Sequence, residues 1–176
     1  MTESAPFSRI VRVDALPRGG QNMTIEASPS EREALASLYK VPAISALTAA
    51  LRLERAGQDG VRVSGAAHGE LTQTCVVSLE PFAATVDEDI DVRFAPRSEV
   101  DSVRGPKGET AFSIADEDEP DPIIEGKIDV GALVAEFFAL GLDPYPRKPG
   151  VEFVAPAESP PADSAFAALA AKPAKQ

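Results

Sequence analysis

The chain has one cysteine, one histidine and no tryptophan in 176 residues, and these shortages exclude several site chemistries. A lone cysteine cannot close an intramolecular disulfide, so the fold does not depend on an oxidising compartment. One cysteine with one histidine cannot supply the closed Cys and His ligand set of a structural zinc site, and neither a metal nor another cofactor is expected. Long apolar runs are also missing. The longest, Ala132 to Leu142, is interrupted by Glu136 and falls short of the ~20 residues that cross a bilayer. Met1-Thr2-Glu3-Ser4-Ala5-Pro6 has neither the basic nor the apolar region of a leader, so the sequence predicts a cytoplasmic protein without a membrane partner. Cations are scarce, 17 Lys and Arg against 28 Asp and Glu, for a net charge of −11. Affinity for a phosphate backbone comes mostly from Lys and Arg releasing counterions. No DNA partner is therefore expected, and any RNA contact has to be local and basic.

What is present supports one core, since hydrophobic residues make up 44% of the chain, enough for a single domain of this length. Phe7 to Val13 and Met23 to Ala27 read as strands, separated by the turn-prone Pro17-Arg18-Gly19-Gly20. Ser28-Pro29-Ser30-Glu31 then supplies a capping serine, a first-turn proline and a capping-box glutamate for a helix that should end before Pro42. From Ile44 the period is two. Leu47, Ala49, Leu51 and Leu53 share one face, the pattern turns at Gly57-Gln58-Asp59-Gly60, and Val61 and Val63 resume it. Gly65 and Gly69 suggest a bulge or bend. Beyond them Leu71, Gln73, Cys75, Val77 and Leu79 fall on one face of a strand, and a third strand runs from Phe82 to Phe94. Asp129 caps a second helix whose apolar face is Val130, Leu133, Val134, Phe137 and Phe138, and Gly141 can terminate it. The expected fold is α+β: an antiparallel meander, with partial closure into a barrel as an option, covered by about two helices. Residues 1–154 form the expected domain, with an acidic loop near 97–122, and residues 155–176 read as a disordered tail rich in Pro and Ala.

Each residue with chemical potential has a plainer alternative. A nucleophilic Cys75 would need a cation or a helix N-terminus beside it; the local sequence supplies neither, so a small buried hydrophobe is the expectation. His68 reads as a solvated turn residue. Asp87, Asp89 and Asp91 fail as a calcium loop because Val92 and Ser98 occupy the places of its glycine and glutamate; alternation makes them a solvent-facing row. Asp116 to Asp121 is a solvated acidic run whose functional alternative is docking onto a basic protein. Gly105-Pro106-Lys107-Gly108-Glu109-Thr110 lacks the phosphate-loop spacing and reads as a turn. In Asp143-Pro144-Tyr145-Pro146-Arg147-Lys148-Pro149-Gly150 the prolines stiffen a segment holding an aromatic and two cations. Asp143, Tyr145, Arg147 and Lys148 thus form a candidate contact for RNA phosphate or a peptide. The alternative is that the prolines only route the chain and Tyr145 packs on the core. No catalytic residue is assigned.

The segment Gln73-Thr74-Cys75-Val76-Val77-Ser78-Leu79-Glu80-Pro81, with Lys127-Ile128-Asp129-Val130-Gly131 and the run from Asp143 to Gly150, resembles the bacterial YceD family. The similarity extends from about residue 7 to about residue 153. Many members carry C-x-x-C in the strand; here Cys75, Leu79, Glu80 and Pro81 match and Ser78 stands at the second cysteine, so metal binding by other branches does not carry over. The resemblance implies a non-enzymatic factor for accumulation or processing of 23S (large-subunit) rRNA, with a ribosomal precursor as partner. An alternative is an acidic adaptor that binds a ribosomal protein or assembly factor without touching RNA. A thiol enzyme built on Cys75 and His68 is a third reading.

Overall fold

The computed structural model describes residues 5–57, 59–98, 100 and 120–153. In chain order the elements are β1 (Ile10–Arg12), β2 (Gln21–Glu26), α1 (Pro29–Tyr39), β3 (Ala43–Ala56), β4 (Gly60–Thr74), β5 (Pro81–Pro96), β6 (Asp121–Ile123), β7 (Lys127–Asp129) and α2 (Val130–Leu140). The main sheet has the order β2-β3-β4-β5-β6, and β1 pairs with β7 in a second, two-stranded sheet. All neighbours are antiparallel except β5 and β6, which run parallel. The α+β meander is as expected, but the sheet stays open and does not close into a barrel. Asp121–Ile123, at the end of the segment read as loop, pairs with β5. The Gly105 turn, most of the acidic run and the expected tail lie outside the described residues.

Alternation decides which face is dry. Leu47, Ala49, Leu51 and Leu53 of β3 are buried with Val61, Val63, Ala67 and Leu71 of β4 and Val86 and Ile90 of β5. Against this face packs α2 through Val130, Leu133, Val134 and Phe138, with Leu35 of α1 in the same cluster. Burying one such side chain fully contributes roughly 1.5–3 kcal/mol. The helices also touch each other: the Tyr39 and Phe138 rings lie 6.1 Å apart, and the Tyr39 hydroxyl donates to the Ala135 carbonyl at 2.8 Å. The other face carries Arg52, Arg62, Ala66, His68 and the row Asp87, Asp89, Asp91, all exposed. Gly65 and Gly69 do not break the sheet. Pairing with β3 and β5 is continuous through both, and the one register irregularity lies between Ile44 and Ala46.

Both helix starts form as their sequences require. Ser28 and Glu31 make the full capping box, and Asp129 Oδ1 accepts from the Gly131 and Ala132 amides, each at 3.1 Å. Each cap also binds the N-terminal segment. Asp129 takes the Arg9 amide at 2.8 Å and the Ser8 hydroxyl at 2.6 Å, while the Arg9 guanidinium, 4.7 Å from the centre of the Phe7 ring, forks onto Glu31 at 2.6 and 2.9 Å. The Arg9 fork, aided by the Ser28 bonds, holds the Glu31 carboxyl down at about 2, against a smaller opposing effect of burial. A depressed carboxyl pKa contributes stability that is complete above its unfolded value, near 4.3, and is lost as pH falls toward 2. Glu31→Gln should therefore cost about 1–2 kcal/mol at neutral pH, and denaturant titrations of the two proteins should converge near pH 2. A cost independent of pH would contradict this role.

Candidate functional site

The strand expected to carry Gln73 through Leu79 stops at Thr74. Cys75 to Glu80 form the turn of the β4–β5 hairpin, and Pro81 opens β5. The Leu79 amide donates to the Cys75 carbonyl and the Cys75 amide to the Glu80 carbonyl, both at 2.9 Å. Leu79 takes a left-handed conformation, φ 60°, and its side chain is 76% exposed, not aligned with Leu71 on the core face. Alternation misleads here because Val76-Val77-Ser78-Leu79 has strand-like residues and none of the usual Gly, Asn or Asp signals for this turn.

The second marked segment docks on this turn. Seventy residues on from Gln73, the Asp143 carbonyl accepts the buried Gln73 amide at 3.3 Å, and the Pro146 carbonyl accepts the Val76 amide at 2.9 Å. Asp143 turns its own carboxylate onto the Tyr145 amide at 2.8 Å, and Lys148 Nζ reaches Glu80 Oε2 at 2.7 Å. That exposed pair raises the Lys148 pKa and lowers that of Glu80. The docking leaves Tyr145 73% exposed, so it does not pack on the core, and Val76 and Leu79 are exposed on the same tip.

Cys75 is buried as expected, although outside the main core cluster. Its thiol is not left without an acidifying environment: Sγ accepts the Ser78 amide at 3.4 Å. The Ser78 side chain first, then the amides of Ser78, Lys148 and Val77, pull the thiol down to about 6, with burial opposing. These donors come from the turn's own backbone and from a distant segment, which is why the local sequence hid them. The ultraviolet absorbance of the thiolate should titrate with a midpoint near 6, well below the usual value of about 8.5. Native protein should nevertheless react slowly with iodoacetamide at neutral pH, because the sulfur is covered, and quickly once unfolded. Fast native labelling, or a midpoint at the ordinary value, would contradict this geometry.

His68 is not in a turn. It lies within β4 directly opposite Asp87 of β5, with Nδ1 and Oδ1 2.6 Å apart, and this contact raises its pKa, with Glu70 adding to it. His68 is seven residues up the strand from Cys75, about 20 Å at the usual strand rise, so the fold does not bring the two together. Asp91 pairs with Arg62 at 2.7 Å, and the aspartate row faces solvent as expected. Among the described residues no three His, Cys, Asp or Glu side chains are grouped to hold a metal, and no helix is long and apolar enough to cross a membrane.

Comparison with protein-family models matches residues 63–171 to the large ribosomal RNA subunit accumulation protein YceD. The chain belongs to the YceD family. The match spans β4 from Val63 onward, β5, α2 and the docked Asp143–Gly150 segment. It therefore takes in both halves of the hairpin-tip site, and its description places the YceD role in ribosome biogenesis. It begins later than the expected resemblance and runs further toward the C-terminus. No curated protein and no solved structure matches the chain.

Sequence reading missed a second feature. A cleft of about 650 Å³ is lined by Arg12, Arg55, Arg97 and Lys127 together with Asp14, Asp59 and Glu125. The four cations come from four separate segments, so no local motif announces them.

Proposed function

We propose that this protein is a non-enzymatic binding factor that supports accumulation and processing of 23S rRNA, acting on a ribosomal precursor in the bacterial cytoplasm. The observation that carries this reading is the YceD match over residues 63–171. The hairpin tip is the proposed partner contact. Asp143 and the prolines fix the segment, Tyr145 and Arg147 stand exposed on it, and Val76 and Leu79 add apolar surface beside it. A non-catalytic role is supported by the placement of the two residues that chemistry would need: the Cys75 side chain is fully buried, and His68 lies seven residues away along β4.

The net charge of −11 and the apolar character of the tip favour a second reading, an adaptor that meets a ribosomal protein or assembly factor and not RNA. Affinity purification from growing cells, with RNA and protein identified together after crosslinking, separates the two. Large-subunit rRNA crosslinked in excess over small-subunit rRNA supports direct contact. Large-subunit assembly proteins without crosslinked RNA support the adaptor, and absence of both contradicts the ribosomal role.

A further inference from the structure

We propose that Leu79, in the β4–β5 turn, is the anchor with which the hairpin tip enters an apolar pocket on a basic protein of the large-subunit precursor, an inference that rests on the ribosomal reading above. The fold itself gains little from a leucine in this place. Its backbone is left-handed, φ 60°, a conformation that crowds any Cβ and that glycine takes without strain. Its side chain is 76% exposed, so burial does not offset that strain. Lys40 and Glu125 are the other non-glycine residues with positive φ among the described residues, and both turn polar side chains to water. Leu79 alone of the three combines the strained backbone with exposed apolar surface. Two unfavourable features that folding does not compensate point to a contact made outside the chain.

The tip holds that side chain in place before any partner arrives. Main-chain bonds between Cys75, Leu79 and Glu80 close the turn, the Glu80 amide donates to the Ser78 hydroxyl at 3.4 Å, and the Pro146 carbonyl fixes Val76 beside the Tyr145 segment. Val76, Leu79 and Tyr145 are thereby exposed on one support. An apolar cluster already in its bound shape loses little conformational freedom on binding, and Tyr145 and Arg147 are of the residue types enriched where protein interfaces are tightest. Charge decides which partner supplies the pocket. Lys148 is tied to Glu80, so Arg147 is the one cation of the tip outside an ion pair among the described residues. One spare cation on a chain of net charge −11 is too few for RNA, because affinity for a phosphate backbone grows with the number of phosphates neutralised. The same negative charge attracts a basic protein and speeds its encounter, and the apolar tip then holds it.

The test is a titration of the full chain, fluorescently labelled at its N-terminus, with large-subunit precursor particles from depleted cells and, separately, with protein-free rRNA from the same particles. The parent should bind the particles at least tenfold more tightly than the free rRNA. Leu79→Gly and Tyr145→Ala should each weaken binding to the particles at least tenfold. Lysine crosslinks from Lys148 should run to a basic protein of the particle. In urea Leu79→Gly should unfold at the parent's midpoint or above it, because glycine relieves the left-handed strain, and this separates a lost contact from a lost fold. The proposal is overturned if the parent does not bind the particles, if either variant binds as tightly as the parent, if Leu79→Gly unfolds well before the parent, or if free rRNA binds as tightly as the particles. Crosslinks that reach no basic protein overturn it as well. The ribosomal reading is checked separately by rRNA levels in depleted cells. An rRNA deficit that Leu79→Gly restores as fully as the parent would remove the anchor and leave the pathway standing.

Discussion

Replacing Gly69 by alanine should destabilise the protein by about 2 kcal/mol, within the usual range for an overfilled core, and the cause should be one ring. A methyl group at Gly69 would sit 2.3 Å from Cε2 and 2.7 Å from Cδ2 of Phe138. The ring cannot easily withdraw, because Phe138 is fully buried and packs on Tyr39, whose hydroxyl is tied to α2 itself. Phe138→Ala alone should cost about 3–5 kcal/mol through the cavity it leaves. Combined, the two changes should cost less than their sum by more than about 0.5 kcal/mol, because the methyl group enters space the ring has vacated. Urea denaturation of the four proteins in a double-mutant cycle measures this coupling. Simple additivity would show that Gly69 and Phe138 are not in contact.

Gly65→Ala should cost at least as much, about 3 kcal/mol, and no neighbouring truncation should recover it. Gly65 has φ 153° and its added methyl would lie 2.1 Å from the Ala50 carbonyl oxygen, a main-chain atom of the adjoining strand. The residue is paired on both sides, with Leu51 and with Ile90, so relief requires moving a strand in the middle of the sheet. Backbone conformations of this kind are essentially restricted to glycine. Ala50→Gly should therefore fail to rescue Gly65→Ala, in contrast to the pair at Gly69. A loss below about 1 kcal/mol, or a clear rescue, would mean that the strands separate more readily than their continuous pairing implies.

These two glycines show where sequence reading stopped short. Both stood out within a strand pattern, yet the reasons for them are non-local: one clears the backbone of β3 and the other clears a ring on α2. The long strands were legible because one buried face imposes period two on Leu47 to Leu53 and on Val86 to Ile90, and both helices because their caps are local devices. The Cys75 turn was not legible. Its β-branched residues continue the strand period, and the turn is held by hydrogen bonds from Val76 to Pro146, from Ser78 to Cys75 Sγ and from Glu80 to the Ser78 hydroxyl, with a serine in place of the stronger turn formers Gly, Asn and Asp. Both halves of the tip site were recognisable as segments, but their meeting depends on where α2 delivers the chain. The cleft was invisible for the same reason, since Arg12 and Lys127 become neighbours only through the pairing of β1 with β7.

Depleting the protein in growing cells and measuring mature large-subunit against small-subunit rRNA separates a role in large-subunit rRNA accumulation from every other function. The ratio should fall, and the parent chain should restore it. An unchanged ratio in fully depleted cells would mean that the protein does not support large-subunit rRNA accumulation.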